Sequence, residues 1–258
     1  MSQFFNPPEG SVQLTPKQAN IYLWGWQKEA RLRDAVYGRR FGKTFLAKAE
    51  MRRAARLAAK WNVSVENEIW YAAPTFKQAK RVFWKRLKQA IPASWRAGKP
   101  NETECSITLR SGHIIRVVGL DNYDDLRLDN YDDLRGSGLF FLIIDEWADC
   151  KWAAWEEVLR PMLSTCKYMV NGEQRVGGHV LRIGTPKGFN HCYDTFMDGQ
   201  PGHQTVKAFL TLHYKVEIFL SLKSLLLNAK WILRHLVRNM KQALRAIKVS
   251  STIVLTGC

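Results

Sequence analysis

Two hydrophobic periods alternate along this chain, and the switches between them outline its elements. Apolar residues recur at helical spacing after Thr15-Pro16, a start signal in which proline takes the first helical position, and the helix is expected to run through Trp24 and Trp26. A short strand at 34–37 then precedes the run Gly38-Arg39-Arg40-Phe41-Gly42-Lys43-Thr44. Residues 45–61 read as a long helix with Leu46, Ala49, Ala54, Leu57 and Ala58 on one side. The pattern predicts a strand at 68–73, ended by Pro74, and a basic helix at 75–91. Alternation at 106–109 and 114–118 around Ser111-Gly112 is a hairpin signature. An uninterrupted apolar run at 139–144 reads as a buried strand. A helix follows at 151–164, then a strand at 180–183 closed by Gly184-Thr185-Pro186. Strands alternating with helices imply an α/β domain with a largely parallel sheet flanked by helices.

Two motifs fall at the ends of predicted strands. Gly38–Thr44 joins a strand to a helix, so its backbone N–H groups and the helix dipole form an anion-binding concavity. In such a loop Lys43 reaches the β- and γ-phosphates and Thr44 holds Mg²⁺. The spacing departs from G-x-x-x-x-G-K-[ST], because Tyr37 stands at the first glycine position and Gly38 comes one place late. The second motif, Asp145-Glu146, ends the 139–144 run. A buried strand that delivers carboxylates at its C-terminal end places them where open α/β sheets bind ligands. Asp145 would position Mg²⁺, and Glu146 would orient or deprotonate a water. Together the motifs predict a P-loop NTPase of the RecA-like (ASCE) kind over residues 12–203, after a lead-in at 1–11.

Charge changes the picture next. The chain of 258 residues carries 39 Lys and Arg against 23 Asp and Glu, a formal +16 that suits a polyanionic partner. Residues 204–258 contribute nine basic side chains and one acidic one, Glu217, and so hold half the excess. That tail admits two readings. It is either a short basic amphipathic helix, with Ile218, Leu222, Leu225, Leu226 and Ala229 at helical spacing, or the product of a shifted reading frame. The 75–91 helix could track a nucleic-acid backbone through Lys77, Lys80, Arg81, Lys85, Arg86 and Lys88, or simply solvate them while Phe83 and Leu87 pack. LDNYDDLR at 120–127 is repeated letter for letter at 128–135, as expected of a tandem duplication in a surface loop. Five cysteines without paired spacing, and a start without an apolar leader, point to a soluble protein of a reducing interior. His191 and Cys192 are expected to pack rather than to ligate.

These motifs, in this order, resemble the large terminase subunit of tailed bacteriophages, an ATPase that packages DNA. Leu14-Thr15-Pro16-Lys17-Gln18 is similar to the family's adenine-recognising motif, which implies Gln18 as base reader. Gly38–Thr44 resembles the family's deviant phosphate loop, and 69–80 the segment after its second strand. Residues 134–148 resemble its acidic strand, and Gly184-Thr185-Pro186 its coupling motif. The resemblance covers 12–198. It implies ATP and Mg²⁺ bound through Gly38, Gly42, Lys43 and Thr44, with Asp145 on the metal and Glu146 as catalytic carboxylate. Thr185 would sense the γ-phosphate, and Arg39 or Arg40 would act as an arginine finger. It further implies double-stranded DNA, a small terminase subunit, a portal or procapsid and further copies of the chain as partners, with no membrane, in the cytoplasm of a bacterial host. The family's nuclease domain needs several carboxylates, and 204–258 offers one, so no nuclease is expected there. A two-lobed helicase and a remnant that binds nucleotide without turnover are the rival readings.

Overall fold

The structure, a computed structural model, describes residues 13–27, 30–121, 138–199 and 206–211. The lead-in, most of the duplicated segment and the chain beyond 211 lie outside the described residues. The first helix, α1 (Pro16–Trp24), opens with a capping box in which Thr15 and Gln18 serve each other's backbone N–H. It stops at Trp24 rather than running through Trp26. Gly25 is extended, and Trp26 is left-handed at φ 72°, which turns its ring inward. There the indole Nε1 donates to Glu50 Oε2 at 3.0 Å.

Among the described residues, seven strands form one sheet: β1 (Leu32–Tyr37), β2 (Asn67–Ala73), β3 (Ser106–Thr108), β4 (Ile114–Gly119), β5 (Gly138–Ile144), β8 (His179–Gly184) and β9 (Val206–Thr211). Their order across it is β3-β4-β2-β5-β8-β1-β9. Each neighbouring pair is parallel except the β3–β4 hairpin. A separate antiparallel ribbon, β6 (Lys167–Val170) and β7 (Glu173–Val176), is an element the apolar pattern did not indicate. Nor did the pattern indicate β9. It pairs with β1 along its whole length, so the sheet runs past residue 203, the boundary expected for the domain.

Apolar side chains on β1, β2, β4 and β8 are shared between two cores. In β2, Ile69, Tyr71 and Ala73 join one cluster while Trp70 and Ala72 join the other. The first face is covered by α2 (Lys43–Lys60), through Leu46, Ala47, Met51, Ala54 and Ala58, and by α3 (76–90), through Phe83 and Leu87. The second is covered by α4 (152–165), through Trp155, Leu159 and Leu163, and by Cys192 of α5 (His191–Asp198). Every residue of β5 is buried, as expected of a parallel strand packed on both faces. Its pairing with β2 shifts register between Glu68 and Ile69, and Phe140 and Phe141 accordingly share one core. Both α3 and α4 contain a π turn, at Lys80–Trp84 and Ala154–Leu159.

Candidate active site

The loop expected to hold phosphate runs between the end of β1 and the start of α2. Its conformation needs two left-handed residues, Arg40 at φ 67° and Gly42 at φ 86°. The positive φ favours glycine at 42, and a Cβ there would also come within 2.6 Å of the Gln18 side-chain nitrogen, which would have to shift. The rings of Tyr37 and Phe41 stack across the loop with centroids 3.7 Å apart. No side chain caps the N-terminus of α2, which leaves its first amides facing the concavity. Lys43 Nζ donates to the Tyr37 carbonyl at 3.2 Å, an ammonium held at the mouth of its own loop. Arg39 and Arg40 stand exposed at the loop tip.

Across β8 from this loop, β5 delivers Asp145 and Glu146. One Asp145 oxygen accepts from the Tyr71 hydroxyl, and the other from the Glu146 N–H at 2.9 Å. Burial raises the Asp145 carboxyl above its ordinary range. The Tyr71 bond opposes that shift, the Glu146 charge adds to it, and Lys43 is near enough to lower it. Tyr71 itself is pushed well above the usual phenol range, first by burial and then by the Asp145 charge. Its ring lies flat against Phe83, centroids 3.9 Å apart, which fixes the hydroxyl. Glu146 has a left-handed backbone, φ 49° and ψ 49°, so the turn aims its side chain back over the strand end.

There Glu146 Oε2 accepts from Thr185 Oγ1 at 3.1 Å. The segment after Thr185 is tied to the same turn. Lys187 pairs with Asp149, Asn190 Nδ2 donates to the Ala148 carbonyl at 3.3 Å, and His191 Nε2 lies 2.9 Å from the Trp147 carbonyl. The His191 ring meets Trp147 edge-on and Cys192 is buried, so both pack as expected.

Thus Lys43, Asp145, Glu146 and Thr185 come together at the C-terminal end of β1, β5 and β8. Gln18 lies elsewhere in the arrangement: it is buried beneath the loop, with Nε2 donating to the Phe41 carbonyl at 2.9 Å. Tyr71 was missed at the sequence level. Its only signal is its place near the end of the strand beside β5, where Ala72 accepts from the Asp145 N–H at 2.8 Å. Along α3, Glu102 draws in Lys88 at 2.6 Å and the Trp84 indole, also at 2.6 Å, while Lys77, Arg81 and Lys85 stay exposed. Among the described residues no cluster of three His, Cys, Asp or Glu is arranged to hold a metal, and no helix is long and apolar enough to cross a membrane.

Comparison with known proteins bears on the sequence and the fold. The chain matches no family model. It is 28% identical over 205 residues to the terminase large subunit of Thermus virus P23-45 and, to the same extent, to that of Thermus phage G20c. Each match takes in 72% of this chain, which spans 37% of the relative's length. Among solved structures, the large terminase ATPase domain of Thermus phage P74-26 superposes with a TM-score of 0.56 at 22% identity, over 76% of this chain and 80% of that one. The large terminase from another thermophilic bacteriophage gives 0.51 at 17%, over 81% and 50%. The chain is therefore similar in sequence to phage terminase large subunits, and it has the α/β fold of the large terminase ATPase domain.

Proposed function

We propose that this chain is an ATP-hydrolysing motor subunit that drives double-stranded viral DNA into a procapsid. One observation carries the reading. The Lys43 loop and the Asp145-Glu146 pair share one edge of the sheet, close enough for Lys43 to act on Asp145, and both Asp145 oxygens are held by neutral donors. A buried carboxylate without a cationic side chain on it suits a metal ion, and an uncapped helix N-terminus behind Lys43 suits phosphates.

Mg²⁺ would be held by the Thr44 hydroxyl and the Asp145 carboxylate, and it would supply charge neutralisation on the phosphates. The remaining work falls to the chain. Gly38 and Gly42 let the backbone approach the phosphates, and Lys43 leaves the Tyr37 carbonyl for the β- and γ-phosphate oxygens. Glu146 orients a water and accepts its proton as the oxygen attacks the γ-phosphorus and ADP departs. Thr185 holds Glu146 Oε2 at rest and is placed to answer the γ-phosphate. Arg39 or Arg40 would bring positive charge to the transferring group. Sequence-independent DNA contact suits the exposed cations of α3. Similarity to terminase large subunits supports the remaining partners: a small terminase subunit, a portal or procapsid, and further copies of the chain, in the cytoplasm of a bacterial host.

The test is Mg·ATP turnover by the purified chain, with and without double-stranded DNA, beside Glu146→Gln. Loss of a general base is expected to lower kcat by about 10²–10⁴-fold while ATP still binds. ATP bound by the wild-type chain without turnover would overturn the motor reading.

A further inference from the structure

Gln18 presents a different chemistry from the one its motif implies. Both ends of its amide are already engaged within the protein. Oε1 accepts from the Thr15 N–H at 3.0 Å, closing the capping box of α1. Nε2 donates to the Phe41 carbonyl at 2.9 Å and reaches the Gly42 carbonyl at 3.4 Å. The side chain is 4% exposed, so a base would have to displace protein contacts to reach it. The loop packs closely on this amide as well, since a Cβ at Gly42 would come within 2.6 Å of Nε2 and push it from its carbonyl partners. Further along, α1 is anchored to α2, because Arg53 lies over the Tyr22 ring at 4.3 Å. The amide therefore bridges a fixed helix start to the two residues that precede Lys43.

We infer that Gln18 is a positioning residue, a strap that sets the phosphate loop for the triphosphate of any nucleotide rather than a reader of adenine. The inference rests on the nucleotide-binding reading above. Carbonyls drawn toward Nε2 turn the neighbouring peptide N–H groups of the loop the other way, toward the concavity. Cutting the strap releases those peptides and costs phosphate affinity whatever base is attached.

Gln18→Glu separates the two ends of the amide. It keeps the acceptor for the Thr15 N–H, so α1 stays capped, but it sets a carboxylate against two carbonyls. Gln18→Met, of similar size, removes both bonds. The full-length variants are compared by binding of ATP, GTP and inorganic tripolyphosphate, and by hydrogen exchange of the 37–45 segment without nucleotide. The strap predicts that all three ligands weaken by the same factor, about tenfold for a lost buried hydrogen bond, and that the 37–45 segment exchanges faster in both variants, beyond any change in the rest of the sheet. Loss confined to ATP, with tripolyphosphate affinity and loop exchange unchanged, overturns the strap and makes Gln18 a base reader. If the wild type binds none of the three ligands, the nucleotide reading fails. Exchange of the nucleotide-free loop still decides the strap in that case: faster exchange in Gln18→Glu supports it, and unchanged exchange overturns it.

Discussion

Asp34 and Asp145 are two buried aspartates on strands of one sheet, and their surroundings differ in kind. Asp34 lies within β1 opposite Arg182 of β8, its partner in the strand register. The guanidinium grips both oxygens at 2.6 and 2.7 Å and is itself sandwiched against Trp147 and Trp155. Asp145, one residue past the end of β5, has the Tyr71 hydroxyl and a backbone N–H instead. Burial raises both carboxyls; at Asp34 the guanidinium is the chief opposing influence, and at Asp145 it is a phenol. Asp34 is thus a closed structural pair. Asp145 is oriented on two sides by neutral donors, with no guanidinium on it, the environment that the proposed metal role calls for.

The comparison can be broken most forcefully at Arg182. Arg182→Met strands Asp34 as a buried, uncompensated carboxylate, and the expected loss is about 3–5 kcal/mol in urea unfolding. A loss under about 1 kcal/mol would mean that the pair is not what holds β1 to β8. Tyr71→Phe comes next. Removing a hydrogen bond to a charged group is expected to cost about 1.5–3 kcal/mol and to raise the Mg²⁺ concentration needed for turnover. Pairing it with Asp145→Asn in a double-mutant cycle should abolish most of that stability cost, and additive effects would show the two groups to be uncoupled.

Asp145→Asn alone tests the sign of the burial effect. A carboxyl raised in the folded state destabilises the fold above its folded pKa, and the penalty fades as pH falls toward the unfolded value of 3.8. The variant is therefore expected to be more stable than wild type near neutral pH, with the gap closing on acidification below the folded pKa. A gap that widened on acidification would mean that Asp145 is held ionised. Thr185→Val is the gentlest change. Loss of its bond to Glu146 is expected to shift stability by about 0.5–1.5 kcal/mol at most, with the larger effect on kcat, since Glu146 loses the group that aims it.

How far the sequence spoke depended on whether the cause was local. The turn from β1 into α2 was legible because glycines and an amphipathic helix flank Lys43. β5 was legible because a strand buried on both faces has no polar alternation to hide it. The β6–β7 ribbon escaped because its residues are largely exposed, as Met169 and Val176 are, so no apolar period marks it. The π turns of α3 and α4 shift the helical phase by a residue without breaking the run of helix formers. Tyr71 and Arg182 act through partners 74 and 148 residues away, and spacing carries no record of such distances. Gln18 was legible as a motif, but its engagement with Phe41, 23 residues on, belongs to the fold.

The seventh strand sets a limit on how this protein can be divided. β1 lies between β8 and β9, so the strand that leads to the phosphate loop is an interior strand thanks to the stretch Val206–Thr211. While the chain is being made, at about 5–20 residues per second, the outer side of β1 stays bare until that stretch is available. A bare strand edge invites pairing with other chains. A fragment cut at residue 203 would carry all the residues named at the site, yet it would bear an adhesive flank next to its phosphate loop and would be expected to clump. One cut after Thr211 would keep that flank covered.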